Sequence, residues 1–193
     1  DDPLPLRSEC SGNALPGMEI EVRDPETGET LAHGEPGEIV ARGCGVFSGY
    51  YNDPEKTEAA FWEGGWFRTG DLGVLDVEGR VTFRGRLKDM LKVGGENVAA
   101  VEIEGYLALH PAVKLAQVVG LPDEKYGEVP VAFVELIPGA AATEAEMIDF
   151  CLGEIASFKV PRHVRFVEDW PMGATKILKS ALRERILAEI ATA

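Results

Sequence analysis

The run Phe67-Arg68-Thr69-Gly70-Asp71-Leu72-Gly73 sets polar residues and glycines directly ahead of the apolar alternation Val74, Leu75, Val77. A polar turn entering a strand holds a carboxylate in a fixed place. Asp71, ionised, can accept hydrogen bonds from two vicinal hydroxyls such as a ribose presents. The plainer alternative is an aspartate that stabilises its own loop. Arg86 follows Gly85, and its guanidinium either bridges sugar and phosphate oxygens with a rigid fork or is an exposed linker arginine. Lys88, in the same linker, suits a hinge that must change its backbone angles; alone it is an ordinary exposed lysine. Lys92 precedes Gly94-Gly95, a pair that lets backbone approach a ligand closely or simply turns a hairpin. Lys176 ends the small-residue stretch Met172-Gly173-Ala174-Thr175, from which a cation can reach a cleft and neutralise charge growing at phosphorus. A lysine near a helix start is electrostatically misplaced, which favours that functional reading. Lys179 is its competitor, closer to the helix and expected to face solvent. Together these residues imply a divided nucleotide site: a carboxylate for sugar hydroxyls, a hinge, and a cation brought from a distant segment.

The elements that must position them follow from periodicity. Met18 to Arg23 alternates as a half-buried strand, Gly37 to Arg42 is a second strand, and Asp24 to Glu29 is a turn. Asp53-Pro54 starts a helix expected to reach Phe61. Residues 73–84 read as a hairpin turning at Asp76 to Gly79. Beyond Gly85 the pattern becomes mixed. Ile103, Tyr106, Leu107 and His110 fall at helical spacing, stopped by Pro111. Leu115 to Val119 and Val131 to Ile137 are buried-strand runs. Thr143 and Glu146 form a capping box ahead of the stripe Ile148, Cys151, Leu152, Ile155. Val164 to Val167 is a short strand, and Leu182, Ile186 and Ile190 mark a last amphipathic helix. The fold class is α+β, a small β-rich portion over 1–85 and a mixed α/β portion over 86–193, with the hinge near Lys88.

The 193 residues suffice for one domain or two small ones, and 45% are hydrophobic. A formal charge of -14 argues against nucleic acid, whose phosphates demand clustered Lys and Arg, and against anionic lipid. An anionic substrate stays compatible where local cations focus the field. Cys10, Cys44 and Cys151 are odd in number and widely spaced, and the three histidines are isolated, so neither a disulfide framework nor a metal site is expected. Reduced cysteines point to the cytoplasm. No apolar run could span a bilayer. Neither a G-x-G-x-x-G nor a G-x-x-x-x-G-K-[ST] phosphate loop occurs. The chain opens Asp1-Asp2-Pro3 rather than with Met, and is expected to be part of a longer protein.

Taken in order, these segments resemble the AMP-forming acyl- and aryl-CoA ligases of the adenylate-forming superfamily, which also holds firefly luciferase and nonribosomal peptide adenylation domains. Gly37-Glu38-Ile39 through Gly49-Tyr50-Tyr51-Asn52-Asp53-Pro54, Trp66 to Asp71, and Gly85 to Glu104 match its motifs in its order. The resemblance implies the last β subdomain of the large domain followed by the C-terminal lid. It implies that Asp71 binds the ribose of ATP and of the acyl-adenylate, with Arg86 supporting the nucleotide and Lys88 as the pivot. Lys176 would serve adenylation. Lys92, Gly94 and Gly95 would face the incoming thiol. The substrates implied are a small-molecule carboxylic acid, ATP with Mg²⁺, and CoA, as in fatty acid metabolism.

Two positions depart from the family pattern. Thr175, not glycine, precedes Lys176, and Asn97 stands where some relatives carry an arginine near phosphate. The family's phosphate loop, adenine-binding strand and acyl pocket would belong to an upstream domain, without which the fragment is expected to be inactive. Two alternatives remain: an adenylation domain that loads a carrier protein, which Lys88 disfavours because those domains usually have Asp at the hinge, and a non-enzymatic lid retained as a binding module.

Overall fold

The computed structural model describes residues 3–191. By contact density the chain divides into two units, one up to Lys88 and one from Asp89 onward. The first unit holds helix α1 (Leu4–Glu9) and a wholly antiparallel sheet. Its main strands run β1 (Gly12–Asn13), β6 (Arg80–Arg86), β5 (Trp66–Leu75), β3 (Gly37–Gly43), β2 (Met18–Arg23), and β4 (Phe61–Trp62) pairs with β5 beside them. Val22, Val40, Trp66 and Val81 are its buried apolar side chains. The guanidiniums of Arg23 and Arg42 lie over the Trp66 ring, 4.7 and 4.5 Å from its centroid, and cover the indole.

Helix α2 (Pro54–Ala59) starts as its sequence dictates, with Pro54 in its first turn and the Asp53 carboxylate accepting from Lys56 N–H at 3.0 Å. It stops short of Phe61, because Phe61 and Trp62 pair across β4–β5 with Phe67 and Trp66. Phe47, Phe61 and Phe67 then cluster with ring centroids 5.1 to 5.7 Å apart. Aromatic burial outweighs two more helical residues.

In the second unit β9 (Val113–Asp123) and β10 (Gly127–Leu136) form a long hairpin. β11 (His163–Phe166) pairs with β10 in parallel, and the hairpin β7 (Met90–Val93) and β8 (Glu96–Ala99) joins at the Gly127 end. The run Val129 to Val134 is buried throughout because both faces of β10 are covered. Ala132 and Val134 turn to one core with Ile103 and Leu107 of α3 (Ala100–Leu107) and Met147 and Cys151 of α4 (Glu144–Cys151). Val129, Val131 and Phe133 turn to the other, against Leu182 and Ile186 of α5 (Lys179–Ala191). Burial pushes the Cys151 thiol up to about 11, so it behaves as a small apolar group.

The α+β class holds. The strand expected over 115–119 extends to both sides, and that expected over 131–137 starts earlier but ends at Leu136, leaving Ile137 exposed. The helix ends at Cys151 and Leu152 is exposed, so of the expected stripe Cys151 is buried beside Met147, while Ile148 and Ile155 pack partly buried against the same core. Ile190 is likewise exposed, since the core ends one turn earlier at Ile186.

Thr143 and Glu146 form the reciprocal capping box read from the sequence. The Thr143 backbone N–H, and then its hydroxyl, hold the Glu146 carboxyl below the usual range. A carboxyl with a lowered folded value stabilises above its ordinary pKa and loses that effect as pH falls through the folded value. Thr143→Ala should therefore destabilise the chain at neutral pH and flatten its stability profile below about pH 4.5, read by urea denaturation across pH. Leu182→Ala should cost about 2 to 5 kcal/mol in the same measurement.

Candidate functional site

Asp71 sits inside β5, not at a loop-to-strand junction, because β5 continues through the polar run as a bulge. Glu38 pairs with Leu72 and Val40 with Arg68, so Thr69, Gly70 and Asp71 together face Ile39 alone. Two extra residues on one strand need a backbone that turns back, and Gly70 supplies it with φ +70. The Thr69 hydroxyl donates to Ile39 O at 2.6 Å and accepts from Asp71 N–H at 3.0 Å.

Beneath the bulge lies Glu38, 1% exposed and the single buried charged side chain among the described residues. Its Oε1 accepts from Gly70 N–H at 3.1 Å, and its Oε2 accepts from Arg68 Nε at 3.1 Å. Arg68 also donates to Pro25 O at 3.1 Å and lies 4.3 Å over the Trp62 ring. A carboxylate this far from water must be paired, and its two oxygens are divided between the bulge and a cation that is itself pinned.

Asp71 and Arg86 are brought together as register partners across β5–β6, with Arg86 Nε 3.2 Å from Asp71 Oδ1. The approach is an ion pair without hydrogen-bond geometry; Oδ1 itself is buried and makes no hydrogen bond among the described residues. The side chain as a whole is still 29% exposed, and Arg86 is exposed. A part-exposed carboxylate paired with an open guanidinium is suited to hydroxyl donors from outside the chain.

Lys88 is exposed in the 3-10 turn Leu87–Asp89, where the two units divide. Lys92, Gly94 and Gly95 share the β7–β8 hairpin. Gly94 and Gly95 have φ +62 and +91, as a two-residue turn between Val93 and its partner Glu96 requires. Gly94 N–H donates to Tyr126 O at 2.7 Å, and no atom lies within 4 Å of where a Gly95 Cβ would stand. The Lys92 side chain is exposed while its N–H donates to Glu128 at 3.0 Å.

Lys176 is exposed on a separate loop of the same unit. Met172 and Ile177 bridge its ends, and Gly173 N–H donates to Lys176 O at 2.7 Å. Lys179, expected to face solvent, is instead tied to Glu104 with Nζ 2.6 Å from Oε1. A groove of about 680 Å³ between the end of β10 and α5, lined by residues such as Glu135, Phe166, Asp169 and Arg185, holds none of these residues. Among the described residues no group of three or more His, Cys, Asp or Glu side chains is placed to hold a metal ion.

Sequence reasoning did not single out Glu38, although a signal was present. Glu38 is in phase with the fully buried Val40 on β3, a charge two residues from a core position on the same face.

Residues 1–51 match the family model described as AMP-binding enzyme, and residues 102–176 match that described as AMP-binding enzyme C-terminal domain. The chain is 38% identical over 187 residues to the mitochondrial medium-chain acyl-CoA ligase ACSF2 of Bos taurus, covering 96% of this chain and 30% of that protein. It superposes on ATP-bound MatB from Rhodopseudomonas palustris with a TM-score of 0.85 at 41% identity, over 92% of this chain and 35% of that one. The amide bond synthetase McbA from Marinactinospora thermotolerans gives 0.83 at 36% identity, over 92% and 36%. The chain thus spans about a third of the length of the curated relatives it matches.

Glu38→Ala strands the Gly70 N–H and the Arg68 guanidinium, and should cost about 3 kcal/mol in urea denaturation. Glu38→Gln keeps the shape and one acceptor and should cost less. A loss under about 0.5 kcal/mol for Glu38→Ala would mean the bulge is held without it.

Proposed function

We propose that this chain, which belongs to the AMP-binding enzymes, supplies the C-terminal part of an ATP-dependent carboxylic acid–CoA ligase. The observation that carries this reading is the part-exposed Asp71 carboxylate paired with Arg86 on a braced bulge. The likeness to acyl-CoA ligases and to an ATP-bound relative supports it.

In this reading Asp71 accepts the two ribose hydroxyls and Arg86 faces the same nucleotide. The substrate carboxylate attacks the α-phosphorus, an O–P bond forms, and pyrophosphate leaves with the electrons of the broken P–O bond. Negative charge grows on the phosphorus oxygens, and the Lys176 ammonium neutralises it. In the second step the CoA thiol attacks the acyl carbon of the mixed anhydride, AMP leaves, and the thiol proton passes to solvent. Lys92 and the Gly94-Gly95 turn serve that thiol side. One polypeptide segment serves both steps in turn because rotation about Lys88 exchanges the cations presented, a role supported by its exposure at the division between the two units. Mg²⁺ enters with ATP as its counter-ion. The upstream region completes the acyl and adenine contacts. Three free cysteines suit a cytoplasmic place of action.

A second reading is kept because of the amide bond synthetase likeness: the same adenylate could be handed to an acceptor other than free CoA, such as an amine or a carrier-bound thiol. Product formation by the full-length protein with CoA, carrier and amine acceptors separates the two.

In the full-length protein, Asp71→Ala should raise KM for ATP, and Lys176→Ala should slow acid-dependent exchange of pyrophosphate into ATP by about 10²- to 10³-fold. Thioester formation from preformed acyl-adenylate should survive Lys176→Ala. Equal slowing of both steps by Lys176→Ala would refute its role. The 193-residue chain alone should show no exchange.

A further inference from the structure

We infer that Lys179, paired with Glu104 and set beside Asp89, is a positioning residue that holds the loop carrying Lys176. The inference rests on the reading of Lys176 given above and adds to it the means by which that lysine is placed.

Lys179 opens the 13-residue helix α5, and Leu182 N–H donates to Leu178 O just ahead of it. The positive end of a helix dipole is a poor place for a cation, so an unpaired lysine there would turn outward. Lys179 turns inward instead, and its side chain is only 21% exposed. Its Nζ lies 2.6 Å from Glu104 Oε1 and 3.9 Å from Asp89 Oδ2.

The Glu104 carboxylate is fixed in its turn. It is carried by α3, is 13% exposed, and the same Oε1 accepts from Val118 N–H of β9 at 2.8 Å. One carboxylate therefore ties α3, the sheet and the first residue of α5. A charged, partly desolvated pair of this kind is short, directional and costly to break.

The loop is short enough to inherit that fixation. Lys176 is three residues from Lys179, a span of at most about 11 Å. Its far end is closed by the Met172–Ile177 bridge and by Leu178 N–H donating to Pro171 O at 2.8 Å. Ile177 packs on the core beneath α5. With both ends held, only the Lys176 side chain remains free to extend. The body of α5 is held separately by Leu182 and Ile186, so loss of the ion pair loosens the loop's base while the helix stays docked. Asp89 adds a second link, because it directly follows Lys88.

The test uses the full-length protein and times the two half-reactions separately: acid-dependent pyrophosphate exchange, and thioester formation from preformed acyl-adenylate. Lys179→Met should slow the first about 10- to 100-fold, as a displacement of the order of 1 Å does, and leave the second within about 2-fold. Lys179→Arg, which can pair with Glu104, should restore most of the loss. Glu104→Gln, which keeps an acceptor for Val118 N–H, should slow the same half-reaction less. In the Lys176→Ala background, Lys179→Met should add nothing. Equal slowing of both half-reactions, full additivity with Lys176→Ala, or an unchanged first half-reaction would each overturn the inference while leaving the role of Lys176 intact. If Lys176→Ala itself spares the first half-reaction, the underlying reading fails and the positioning role falls with it.

Discussion

A charge removed from water must have its acceptors and donors filled, and Glu38 imposes that condition on the whole first unit. One of its oxygens takes the Gly70 N–H and the other the Arg68 guanidinium, so a strand that would otherwise run straight is held in a two-residue bulge. The bulge sets the register by which Asp71 faces Arg86. A hydrophobic residue at 38 could fill the space, yet it would leave the Gly70 N–H without an acceptor. The polar core is thus retained for position more than for stability, in keeping with the small net worth of buried ion pairs.

The second unit uses a different economy. Its central strand is apolar on both faces, so a single run of residues nucleates two cores, one under α3 and α4 and one under α5. The residues proposed for chemistry all stand where this packing stops: Lys92 and the two glycines at a hairpin tip, Lys176 on a bridged loop. A rigid interior with its reactive groups at the margins is what segmental motion requires, because the margins can change partners while the interior does not repack.

Periodic features were open to reading from the residues alone. The strands β2 and β3, the Asp53-Pro54 helix start and the Thr143/Glu146 capping box each rest on local physics, and each formed as expected. Features decided by partners far along the chain were not. Phe61 left its helix for a strand because Phe67 waits opposite it. Thr69-Gly70-Asp71 became a bulge because Glu38, thirty-two residues before Gly70, accepts its N–H. Lys179 turned inward because Glu104, seventy-five residues earlier, lies beneath it. Composition and spacing pointed to Asp71 and Arg86, and the register of β5 and β6 brings the two together. The carboxylates that do the holding carry no periodicity of their own, and only the phase of Glu38 with Val40 hinted at one of them.

The double use of β10 also orders how the second unit comes apart. Helix α5 covers one face with only Leu182 and Ile186 fully enclosed, whereas the opposite face is closed by two helices. Opening events that lift α5 alone would leave the larger core dry, so amide protons in the middle of β10 should be among the last to exchange with deuterated solvent and those of α5 among the first. The loop of Lys176 adjoins the more readily detached of these two layers, yet its base is tied through Lys179 to Glu104 of α3, so the ammonium travels on its own side chain and need not follow the helix when it frays.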